Sequence, residues 1–150
     1  MLKPDTPPPM SHDPTDPTSS AAATADAAAD AAGGPLDART LAQLHQLDPS
    51  GANRLMARVL TAYSESLARL RGQIVAARAA GDAAITRLAV HTLKSSSASI
   101  GALRLSVLCA EAEQAIRDGQ SHDVGTVLDR LEVEAVRVDA AVQHLLTQHR

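Results

Sequence analysis

A histidine and a lysine stand three residues apart in the run Ile85-Thr-Arg-Leu-Ala-Val-His91-Thr-Leu-Lys94-Ser-Ser-Ser-Ala-Ser-Ile100. Imidazole is largely neutral near cellular pH yet still basic, so a ring nitrogen can attack an electrophilic phosphorus. On a helix, each residue advances the direction of the side chain by about 100°. Lys94 therefore shares the face of His91 and can neutralise charge that collects on a group attached to the ring. The choice of lysine is informative in itself. The chain has twelve arginines and two lysines, and Lys94 is the only lysine after Lys3. A compact ammonium on a flexible stem has been used here, against a background of planar guanidinium groups.

The same wheel puts Ile85, Ala89, Leu93, Ser96 and Ile100 on one side, which is read as the core side. His91 then points outward, with Arg87, Leu88, Lys94, Ser95 and Ala98 around it. Ser95 and Ala98 are small where a helix surface normally carries long side chains, so another protein could approach the ring closely. Leu88 offers an apolar contact, and Arg87 adds positive charge.

Other chemistry-bearing side chains read more simply. Ser95, Ser96 and Ser97 have no acid–base partner at a triad-like spacing, which leaves small-residue packing as their use. Cys109 lies among apolar residues and reads as core; a single cysteine also excludes an internal disulfide and a cysteine-based zinc site. His12, His45, His122, His144 and His149 have no metal-ligand spacing, so no metal site is expected. Arg54, Arg58, Arg69 and Arg78 read as the solvated face of a helix, and Tyr63 as core. Glu111 and Glu113 both lie where they could approach His91, and the sequence does not choose between them.

The elements that must hold this face are helical. Aromatic residues make up 1% of the 150, and Leu, Ala and Arg, all good helix formers, dominate the apolar and basic positions. Leu41, Leu44 and Leu47 predict a short helix stopped by Asp48-Pro49. Ser50 is placed to cap a second helix, whose stripe runs Leu55, Val59, Tyr63, Leu67, Leu70, Ile74 and Ala77, with Gly72 as a point of bending. Gly81-Asp82 ends it and caps a third helix over about 83–100. A turn at Gly101 leads to a fourth, carrying Leu105, Leu108, Ala112 and Ala115 as far as Asp118-Gly119. The fifth, about 122–147, has a heptad of Val124, Leu131, Val138 and Leu145 interleaved with Leu128, Ala135 and Val142. The fold class expected is all-α: an antiparallel up-down-up-down four-helix bundle with a short extra N-terminal helix across one end. A homodimeric coiled coil is the competing arrangement, but four stripes can be buried within one chain, so a monomer is expected.

Seven of the eight prolines fall in residues 1–35, with five aspartates and an alanine-rich run. This segment is read as a disordered Pro/Ala-rich tail, and 36–150 as the domain. Beyond the tail the charges nearly balance, so there is no basic, aromatic-bearing surface for nucleic acid. No apolar run would span a bilayer and no signal peptide is evident, so no membrane contact is expected and the location is taken as cytoplasmic.

His91-Thr92-Leu93-Lys94-Ser95-Ser96-Ser97-Ala98-Ser99-Ile100-Gly101-Ala102 resembles the phosphorylation-site segment of the histidine-containing phosphotransfer family, H-x-L-K-G-[SA]-[SA]-x-x-[IVL]-G. The resemblance extends over about 36–148 and includes Leu47-Asp48-Pro49 and Gly81-Asp82. It implies a four-helix bundle, usually monomeric, that takes a phosphoryl group from one receiver-domain aspartate and passes it to another. By the same resemblance His91 is the phosphoacceptor, Lys94 stabilises the phosphoryl group, and Gly101 is structural. The partners implied are the receiver domains of a hybrid histidine kinase and of a response regulator. No nucleotide or other cofactor and no kinase activity is implied; the chain, which begins with Met, is read as free-standing. Two departures stand out. Ser95 replaces the usual glycine after the lysine, and the second-helix phenylalanines are absent, with Leu60 and Tyr63 in their place. The alternative is a module that binds and sequesters a response regulator without accepting phosphate.

Overall fold

The computed structural model describes residues 34–149, and the expectation for the Pro/Ala-rich tail falls, but for Gly34 and Pro35, outside them. Among the described residues there are five helices and no strand: α1 (Ala38–Gln46), α2 (Leu55–Ala79), α3 (Ala83–Ser99), α4 (Leu103–Arg117) and α5 (Ser121–Gln148). Turns of three residues join α2 through α5, so successive long helices run antiparallel. α2 packs on α3, α3 on α4, α4 on α5, and α5 closes the ring on α2. This is the four-helix bundle, with α1 packed on α2 at one end.

The apolar stripes meet inside. Leu60, Leu67, Leu93, Leu105 and Leu131 lose essentially all contact with water, together with Val90, Val138, Val142 and Cys109. Each such leucine contributes about 1.5–3 kcal/mol relative to an exposed one, which is what sets the register of the four helices. Tyr63 brings the one aromatic ring, and its hydroxyl meets Ser97 Oγ at 2.9 Å. Burial pushes this phenol, and the Cys109 thiol, up to about 12. Both therefore stay neutral fillers.

Local chemistry explains the element boundaries. Asp82 caps α3 by accepting from Ile85 N–H at 3.1 Å, after Gly81 turns the chain at φ 68°. At the start of α2 the cap is not Ser50. The buried Asp48 carboxylate accepts instead from Asn53 N–H at 3.2 Å and Leu55 N–H at 3.1 Å, while Arg54 takes a left-handed φ of 53°. Asp48 spans the loop and satisfies two donors at once; the Ser50 hydroxyl reaches only Ala52. Leu47 falls beyond the end of α1 and is exposed. α2 runs through Gly72 as one helix of 25 residues.

α1 is held at the α3–α4 turn. Asp37 N–H donates to the Gly101 carbonyl at 2.8 Å, and Leu36 is buried. Gly101 has φ 84°, and a Cβ there would lie 2.9 Å from Thr40 Cβ and 3.1 Å from Asp37 N. Both the backbone angle and the close approach require glycine.

Candidate phosphoacceptor site on the third helix

The core face of α3 consists of Thr86, Ala89, Val90, Leu93 and Ser97, with Ile100 just beyond the helix. It is rotated slightly from the face read in the sequence. Ile85 is 45% exposed and Ser96 only partly buried, because α2 and α4 grip the helix at Val90 and Ser97 instead. The rotation leaves His91 outside, with its side chain 59% exposed.

What meets His91 comes from α4. Gly101 reverses the chain, so α4 climbs back along α3. Ser106 Oγ donates to the Lys94 carbonyl at 2.9 Å, and two turns later Glu113 arrives beside His91. His91 Nδ1 lies 3.0 Å from Glu113 Oε1, and Lys94 Nζ donates to Glu113 Oε2 at 2.8 Å. Arg117, one turn further along α4, donates to Oε1 at 3.0 Å. The Glu113 side chain is 5% exposed, so this carboxylate sits beneath three nitrogen groups that face outward.

The electrostatics follow from that burial. An isolated carboxylate so placed would resist ionisation. The hydrogen bond from Lys94 outweighs the desolvation, and with help from His91 it holds Glu113 below the ordinary carboxylate range. An ionised carboxylate can only accept, so Nδ1 must be the nitrogen that carries hydrogen. In the neutral ring this leaves the lone pair on Nε2, which has no partner among the described residues. The ring is thus anchored through Nδ1, on a side chain that is 59% exposed.

Of the two glutamates the sequence left open, Glu111 faces the other way and pairs with Arg130 of α5 at 3.4 Å. Both flank the core residue Ala112, and the flank that faces α3 depends on the handedness of the bundle. Arg117 was missed. Its only signal is the glutamate-to-arginine spacing of four residues, which is common on any helix.

The sequence model of the Hpt domain family matches residues 58–148, about three-fifths of the chain. The chain belongs to the Hpt domain family. Among solved structures it is similar to histidine-containing phosphotransfer protein B (HptB) from Pseudomonas aeruginosa PAO1. The two share 25% identity with a TM-score of 0.68, over 77% of this chain and 96% of that one. No curated protein matches it in sequence.

In this Hpt domain the residues expected around His91 lie on the open side of α3. Arg87, Leu88, Ser95 and Ala98 are all exposed, Leu88 by 61%. The Ser95 hydroxyl folds back onto the Thr92 carbonyl at 3.2 Å, and Ser99 onto the Ser95 carbonyl at 2.9 Å. The surface beside the ring therefore carries only small side chains at 95 and 98, with the Ser95 hydroxyl turned back onto the helix. Among the described residues no group of three or more His, Cys, Asp or Glu side chains could hold a metal ion, and no helix is long and apolar enough to cross a membrane.

Proposed function

We propose that this protein is a phosphorelay intermediate in which His91 takes a phosphoryl group from a receiver-domain aspartate and yields it to another. The observation that carries this reading is the anchored ring: Glu113 holds His91 Nδ1 through one oxygen and Lys94 through the other, on a histidine side chain that is 59% exposed. In the forward step the Nε2–P bond forms as the aspartyl O–P bond breaks. The aspartate leaves as a carboxylate, and the ring becomes a phosphoimidazolium whose Nδ1 proton is already held by Glu113. Lys94 neutralises the phosphoryl oxygens. The receiver supplies the aspartate and its metal ion, so this chain needs no cofactor and has no kinase activity of its own.

Arg87, Leu88, Ser95 and Ala98 form the docking surface, with Leu88 the apolar contact and the small pair letting the receiver backbone approach. Receivers of a hybrid kinase and of a response regulator are the two partners. The protein acts as a cytoplasmic monomer, with Gly101 structural.

Incubation with a phosphorylated receiver should transfer an acid-labile, base-stable label to this protein. His91→Gln should abolish the label while leaving receiver binding intact. A label that persists in His91→Gln overturns the assignment. Binding without transfer by the wild type would favour a sequestering module instead, although such a module has no use for the His91–Glu113–Lys94 arrangement.

A further inference from the structure

Glu113 is one buried anion with two cations, and the second takes no part in the transfer step itself. Lys94 takes Oε2 at 2.8 Å, while Arg117 shares Oε1 with His91, both at 3.0 Å. The surplus acquires meaning once a phosphoryl group is on Nε2. Lys94 then has two anions to choose between, the carboxylate and the phosphoryl oxygens. If Lys94 were the only cation on Glu113, moving to the phosphoryl group would strand a charge whose side chain is 5% exposed. Stranding a buried charge is among the costliest local changes a protein can undergo. Lys94 would stay where it is.

We propose that Arg117 is a positioning residue: it keeps Glu113 compensated and aimed at His91 Nδ1, and so releases Lys94 to the phosphoryl group. This rests on the phosphotransfer reading above. The geometry suits the task. Arg117 lies four residues after Glu113 on the same helix, so its grip does not depend on the α3–α4 contact. It approaches the oxygen that Lys94 does not use. Its side chain is 54% exposed and can follow the carboxylate without disturbing the core. The charged groups around the ring are Lys94 and Arg87 on α3, and Glu113 and Arg117 on α4. Arg87 lies a turn before His91 on the outer face and is not bonded to Glu113.

The test is a double-mutant cycle on the whole chain, with a phosphorylated receiver as donor. Arg117→Gln should bind the receiver as wild type does but slow transfer to His91 by about tenfold, the effect of one charge-assisted hydrogen bond. Arg117→Lys should restore most of the rate. In a Lys94→Met background, Arg117→Gln should change the rate less than about twofold, because its effect passes through Lys94. Circular dichroism and the thermal midpoint of each variant verify that the bundle is intact. Wild-type rates in Arg117→Gln, or losses that simply add in the double variant, overturn the proposal. Neither result would touch the phosphotransfer reading, which fails only if wild type takes no label or His91→Gln keeps it.

Discussion

At the scale of single residues the site is organised by Glu113, not by the histidine that the sequence makes conspicuous. Glu113 fixes the ring tautomer through Oε1 and engages Lys94 through Oε2. Because Lys94 and His91 favour its charged form, Glu113 binds a proton less readily folded than unfolded. The resulting stability is complete above the ordinary glutamate value of about 4.3 and is lost as pH falls through the lower folded value. The gap in Tm between wild type and Glu113→Gln should therefore hold steady above the ordinary glutamate range and narrow as pH falls below it. Thermal denaturation across that range is the check, and a gap undiminished at acid pH would contradict it. His91 and Lys94 were legible in the sequence because their types and spacing are intrinsic to one helix. Glu113 was only half legible, because its partner lies 22 residues away and is set by how α4 packs against α3.

At the scale of elements, two glycines make opposite predictions. Gly72 lies inside α2, which continues through it, with nothing within 4 Å of the place a methyl would take. Gly72→Ala should stabilise the protein by about 0.5–1 kcal/mol, since alanine restricts the unfolded chain and suits a helix. Gly101 has φ 84° and meets Thr40 and Asp37. Gly101→Ala should destabilise by about 1–3 kcal/mol and loosen α1 from the α3–α4 turn. Urea denaturation of the two variants separates them by sign. Helix existence was readable from the stripes and from Asp82, whose cap needs only a local carboxylate. The start of α2 was not: Asp48 reaches seven residues ahead to Leu55, over a loop whose path no local pattern specifies. The core side of α3 was read slightly off for a related reason. Val90 and Ser97 are buried by where α2 and α4 press, and apolar periodicity alone favours Ile85.

At the scale of the whole molecule, four amphipathic helices close a ring within one chain and bury their stripes there. A coiled-coil dimer would be needed only if those stripes were left open, so sedimentation should give a monomer at any concentration used for transfer assays. The bundle supplies what a relay point requires: a rigid scaffold, a ring anchored from the neighbouring helix, and a low surface around it. The proposed transfer calls for no nucleotide on this chain, because the reactive phosphoryl group comes with the partner. In the proposed transfer, Nε2 of His91 receives it. Nitrogen-15 and phosphorus-31 NMR of the labelled protein, after transfer from a phosphorylated receiver, reads the bonded atom directly. The expected result is a phosphorus–nitrogen coupling to Nε2 of His91, with Nδ1 protonated. Phosphorus bonded to Nδ1, to another residue, or to no atom of this chain would contradict it.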